Sequence, residues 1–147
     1  MQVLVREATE ADLPAVLRIY AQPGLDESEV LSVDEARVHY RRFRLYPNYR
    51  LFVALLDGEV VGTFALLIMD NLAHRAAPSG VVEDVAVRED LQGRGIGREM
   101  MAAARERCRE AGCYKMALSS NLRREAAHAF YESLGFERHG YSFLIRP

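Results

Sequence analysis

Apolar and polar positions along the chain alternate between two periods, two residues and about three and a half, and the switches mark its elements. Val3 and Val5 alternate with Leu4 and Arg6 as a short first strand. Thr9 is a good helix N-cap, and Leu13, Val16, Leu17 and Tyr20 follow at helical spacing until Pro23-Gly24. Leu25 to Ser32 is polar and acidic and reads as a loop. Ser32 and Glu35 form a capping box for a second helix over Val33 to Leu45, which stops before Pro47. Arg50–Leu56 and Glu59–Met69 are strand-like runs joined by Asp57-Gly58, a two-residue hairpin turn. A polar loop, Asp70 to Gly80, leads to a strand over Val81–Val87. Gly95–Ala111 is a long amphipathic helix, ended by Gly112. Tyr114–Ser119 is a strand and Arg123–Leu134 a helix. Phe136–Ile145 is expected to supply one or two closing strands. Three successive strands inside the order β-α-α-β-β-β-α-β-α-β argue for a mixed sheet with packed helices rather than a doubly wound parallel sheet.

A length of 147 residues implies a single domain, 1–147, able to bury a sizeable core. Half the residues are hydrophobic, which excludes a disordered chain. Nineteen Lys and Arg against 21 Asp and Glu leave a net charge of −2, so no basic excess points to nucleic acid. The apolar stretch Val60–Met69 is far short of the ~18–20 residues of a membrane span, and Glu7 interrupts any leader-like run. Cys108 and Cys113 lack metal-ligand spacing and fit free thiols in a reducing cytoplasm. No metal and no membrane partner are expected.

The stretch that carries chemistry is Val81-Val-Glu-Asp-Val-Ala-Val87, then Arg88-Glu-Asp-Leu91, then Gln92-Gly-Arg-Gly-Ile-Gly97 opening a helix. Glycines let the chain take positive φ and let a ligand approach the main chain. The first amides of a helix have no internal partners and sit at the positive end of its dipole, which suits a phosphate or diphosphate. A Walker loop is excluded because Arg98, not Lys-Ser/Thr, follows Gly97. A dinucleotide fingerprint is excluded because Arg98 stands where its third glycine would be. Taken alone, the loop also fits a helix start with flexible glycines.

Val87 followed by Gln92-x-x-Gly95-x-Gly97 resembles the acetyl-CoA signature of the GCN5-related N-acetyltransferases, the GNAT family. Asn121 to Phe136, with Ala126-Ala-His-Ala-Phe130-Tyr131-Glu132-Ser-Leu134-Gly135-Phe136, resembles the family's second motif. The resemblance implies the α/β (α+β) acyl-CoA N-acyltransferase fold: a mixed, mostly antiparallel sheet, helices on both faces, splayed at the strand before the glycine loop. It implies acetyl-CoA as cosubstrate and transfer to an amine. Main-chain groups along Val85, Ala86 and Val87 would pair with pantetheine. Amides of Gln92, Gly93, Arg94, Gly95, Ile96, Gly97 and Arg98 would hold the diphosphate. Asn121 matches a cofactor-contacting position, although a plain strand-to-helix cap fits it equally. Phe130 is a cofactor-side or a core aromatic. Tyr131 matches the tyrosine that protonates departing CoA, and the Val85 amide the oxyanion donor.

The acceptor amine must be neutral to attack, so a base is needed. Glu83 is the first candidate, on the strand in phase with Val85 and Val87, with an ion-paired or solvated role as its alternative. Asp84 is expected on the other face; His74, His128 and His139 rank lower. Stretches of the chain are similar to glucosamine-6-phosphate and aminoalkylphosphonate N-acetyltransferases, although Ser119 stands where the former carry aspartate. Arg37, Arg41, Arg42 and Arg44 suit an anionic acceptor, whereas Asp26, Glu27 and Glu29 suit a cationic one. A small-molecule amine is expected, with a protein or peptide amine, or a non-catalytic acyl-CoA-binding module, as alternatives. The resemblance also implies a homodimer.

Overall fold

The computed structural model describes residues 1–26 and 29–147; Glu27, counted above in an acidic patch, lies outside them. The chain forms two compact units, Met1–Ala117 and Leu118–Pro147. The first holds β1 (Val3–Glu7), α1 (Leu13–Tyr20), α2 (Val33–Phe43), β2 (Tyr49–Leu56), β3 (Glu59–Met69), β4 (Ser79–Val87), α3 (Ile96–Glu110) and β5 (Lys115–Leu118, its last residue past the unit boundary). The sheet order is β1-β2-β3-β4-β5. Registered antiparallel ladders join β1 through β4. β5 begins level with β4, because Tyr114 N–H donates to Pro78 O at 3.0 Å. The helical crossover between them makes that pair parallel and the sheet mixed.

Local chemistry sets the helix ends. The Asp12 carboxylate accepts Thr9 N–H at 2.7 Å and both Arg6 guanidinium nitrogens at 2.7 and 3.0 Å, fixing the turn before α1. Ser32 and Glu35 exchange the two capping-box bonds, each 3.2 Å. α2 ends at Phe43, two residues earlier than its pattern suggests. Asp57 and Gly58 take φ of 50° and 79°, the left-handed pair that a tight hairpin needs.

Residues directly opposite one another in a ladder share a face. Leu51 and Val53 pair with Ala65 and Thr63, and pack with Leu13, Val16, Leu17 and Tyr40 of α1 and α2. Phe52 and Phe64 stack at 5.1 Å on the opposite face, where the Arg107 guanidinium of α3 lies 4.7 Å over Phe52. Helices thus cover both faces, and the buried core runs through the middle strands.

The second unit holds α4 (Glu125–Ser133). Phe130, Tyr131 and Phe136 form a ring cluster with centroids 5.2 and 5.6 Å apart. The expected closing strands over Phe136–Ile145 do not form. Tyr141, Phe143, Leu144 and Ile145 are all exposed, so this apolar run has neither a ladder partner nor a face to bury against.

Candidate active site

The middle of β4 departs from regular alternation. Thr63 pairs with Ala86 but Ala65 pairs with Glu83, so Phe64 alone opposes both Asp84 and Val85. This is a β-bulge, and Asp84 sits in it at φ 53°. The bulge corrects the expected phase. Glu83, opposite Ala65, faces α1 and α2, whereas Val87, opposite Gly62, lies on the α3 face. Asp84 is not turned away from Glu83. Its charge bears on Tyr20 and Tyr49, as Glu83 bears on Tyr49. Both carboxylates therefore work on the α1–α2 side.

The electrostatics follow from that placement. Partial burial, then the charge of Asp84, pushes the Glu83 carboxyl above the usual carboxylate range. Partial burial, then Asp26, does the same to Asp84. The Tyr20 phenol is pushed up strongly by burial and by Asp84, and stays protonated. Of the arginines on or just after α2, Arg37 pairs with Asp34 (3.1 Å), Arg41 with Glu10 (2.8 Å) and Arg44 with Glu7 (2.7 Å). His74 stacks on Tyr114 at 4.1 Å, beside the start of β5 rather than among these carboxylates.

At the end of β4 the backbone turns outward. Arg88 N–H donates to Val61 O at 2.7 Å, making 88/61 a hydrogen-bonded pair. The next pair, Val87/Gly62, is then non-hydrogen-bonded, and the Val87 N–H and C=O point away from β3. Counted residue by residue from the Tyr114–Pro78 bond, the four-residue β5 ends about level with Val82, short of Val85–Val87. The chain continues through a 3-10 turn, Glu89–Leu91, into Gln92–Gly95 and α3. Gly93 and Gly95 take φ of 78° and 88°, and a Cβ at either would meet only open space. Ile96, Gly97 and Arg98 begin α3 with amides that lack intrahelical partners, while Glu99 N–H already donates to Gly95 O. A left-handed glycine turn, free space and a helix N-terminus fit a diphosphate.

In the second unit, Asn121 Oδ1 accepts Arg123 N–H at 2.9 Å, and Asn121 O meets His128 Nε2 at 2.8 Å. The two Asn121 oxygens thus make the local cap. Tyr131 is buried, and burial pushes its phenol up, so it holds its proton at neutral pH. Phe130 packs on the Tyr131 ring. Sequence reasoning missed the bulge, the common side of Glu83 and Asp84, and Tyr49 beside them. Aspartate is depleted within strands, and that was the available signal.

A model of the Acetyltransferase (GNAT) family matches residues 13–136. The aminoalkylphosphonate N-acetyltransferase of Salmonella typhimurium is 31% identical, covering 95% of this chain and 88% of that protein. The glucosamine 6-phosphate N-acetyltransferase of Trypanosoma brucei brucei is 32% identical, covering 92% and 89%. A solved acetyltransferase structure from Agrobacterium tumefaciens superposes with a TM-score of 0.90 at 36% identity, covering 98% and 99%. The chain belongs to the GNAT family and is an acetyl-CoA-dependent N-acetyltransferase. Among the described residues no helix is long and apolar enough to cross a membrane.

Proposed function

We propose that this chain acetylates the primary amine of a small molecule by direct attack on the thioester. The observation that carries the reading is the left-handed glycine turn at the start of α3, placed directly after a strand end whose polar groups face outward. Acetyl-CoA supplies the activated acetyl group. Amides of Gln92–Arg98 hold its diphosphate; the outward main chain of Val85 and the Val87 N–H pair with pantetheine, the Val87 carbonyl being held by Gln22 and Gln92, with Ala86 between them held to Thr63. Asn121 contributes its carboxamide, and Phe130 supports Tyr131.

Glu83 takes the proton of the acceptor ammonium, directly or through water, and its raised affinity for protons makes it a better base than an ordinary glutamate. The Val85 N–H, beside the bulge, is the donor for the developing oxyanion. As the new C–N bond forms and the C–S bond breaks, the Tyr131 phenol gives its proton to the departing sulfur. The nearby carboxylates Glu83 and Asp84, with Arg37, Arg41 and Arg44 engaged by Asp34, Glu10 and Glu7, favour a cationic acceptor over a phosphate-bearing one. Exposed Tyr141–Ile145 supports pairing of two copies, and the free thiols suit a reducing cytoplasm.

The test is CoA release from acetyl-CoA across a panel of small diamines, amino sugars with and without phosphate, aminoalkylphosphonates and peptides. Turnover best with an uncharged-backbone diamine is expected. Acetyl-CoA binding without turnover on any amine would favour a non-catalytic module, and turnover confined to peptides would overturn the small-molecule acceptor.

A further inference from the structure

Gln22 lies just past α1, at the head of the loop that leads to Asp26, and belongs to neither motif of the family. Its side chain nonetheless reaches the cofactor strand. The Gln22 amide nitrogen donates to Val87 O at 3.1 Å, and its amide oxygen accepts Glu89 N–H at 2.7 Å. One donor and one acceptor meeting residues i and i+2 is the pattern by which a neighbouring strand holds an edge. The Gln22 carboxamide thus acts as a one-residue strand at the end of β4.

What it holds is the corner that feeds the glycine turn. Val87 is the last residue of β4, and Glu89 opens the 3-10 turn that delivers the chain to Gln92. The Gln92 side chain donates to the same Val87 carbonyl at 3.2 Å, so that both lone pairs of that oxygen are engaged. Arg88 between them is tied by its N–H to Val61. The corner is therefore fixed from β3 on one side and by two glutamines on the other. A hydrogen-bonded glutamine in this position has a geometric task that surface solubility does not explain.

We propose that Gln22 is a positioning residue for acyl-CoA: it sets the angle at which the strand end and the following amides meet the cofactor. This rests on the reading of Gln92–Arg98 as the diphosphate cradle. Because Gln22 also lies four residues before Asp26, whose charge bears on Asp84, the same side chain ties the chain leading to Asp26 to the end of β4.

The experiment compares full-length wild type, Gln22→Met and Gln22→Glu. Methionine keeps the length and loses both bonds; glutamate keeps the acceptor for Glu89 N–H and loses the donor to Val87 O. Calorimetry with coenzyme A is expected to show affinity about tenfold weaker for Gln22→Met, the scale of two lost hydrogen bonds, and an intermediate loss for Gln22→Glu. In turnover the loss is expected in KM for acetyl-CoA rather than in kcat. Faster hydrogen exchange at the Glu89 amide is expected in Gln22→Met with no cofactor present. If wild type binds coenzyme A and both variants bind it equally, or more tightly, Gln22 has no positioning role. Loss of affinity that only tracks a fall in thermal midpoint would also overturn it. Failure of wild type itself to bind coenzyme A would instead sink the cradle reading.

Discussion

Asp84 shows what a single backbone dihedral does to the chemistry of a strand. At φ 53° it occupies a region that aspartate tolerates and asparagine tolerates better. Its carboxyl is pushed up by burial and by Asp26, so ionising it costs the fold stability. The native state binds more protons than the unfolded chain between the ordinary aspartate value and the raised one, so this group's contribution is fully present below about pH 3.9 and lost as pH rises. Asp84→Asn is therefore expected to raise the melting temperature at pH 7, with the gain gone below about pH 4. Asp12 has the opposite sign. The Arg6 guanidinium holds its carboxyl below the usual range, against burial, so its stabilisation is present above about pH 4 and lost as pH falls through the lowered value. Asp12→Ala is expected to cost about 2 kcal/mol at pH 7 in urea titration, and much less at pH 2. For the chemistry, Glu83→Gln is expected to flatten the acidic limb of the kcat/KM profile and lower its plateau about a hundredfold. An unaltered limb would clear Glu83 of the base role. Tyr131→Phe is expected to lower kcat about tenfold or more while acetyl-CoA affinity holds. Glu83, Asp84 and Tyr131 stood out as candidates in the sequence, whereas Asp12 did not, and neither did the side on which Glu83 and Asp84 lie. Period-two alternation cannot register one extra residue, and an extra residue reverses every face beyond it.

At the level of elements, the pattern located all nine helices and strands described, within a few residues at their ends. The capping box at Ser32–Glu35, the Asp57-Gly58 hairpin and the glycine-led start of α3 are all short-range signals that the structure honours. What it could not supply is any contact made across the fold by a residue outside a motif, as Gln22 is 65 positions from Val87. The glycine turn gives the element-scale prediction. Gly95 sits at φ 88°, where an L side chain costs about 1–2 kcal/mol, although a Cβ there would strike nothing. Gly95→Ala is accordingly expected to shift the turn rather than clash. Weaker coenzyme A binding should exceed what the small loss in stability explains, measured by calorimetry beside thermal melting. Equal binding would remove this turn from the cradle.

For the molecule as a whole, the C-terminal segment is where periodicity and structure part. Tyr141, Phe143 and Ile145 alternate as a strand would, yet they and Leu144 are between 76% and 91% exposed. Alternation states a willingness to pair, and pairing needs a partner edge with a face to bury. Four large apolar side chains left in water over five residues are costly unless something covers them, and in the proposed assembly a second copy of the chain does so. Two copies would run at about twice 16.6 kDa in multi-angle light scattering. Replacing Phe143 and Ile145 together by glutamate should return the mass to that of one chain, because each buried aromatic or branched side chain contributes ~1.5–3 kcal/mol to such an interface. Far-UV circular dichroism of the double variant should match wild type, since neither side chain packs within its own chain. A wild-type mass of one chain at micromolar concentration would reject the dimer, and a double variant that stays at twice the mass would place the interface elsewhere.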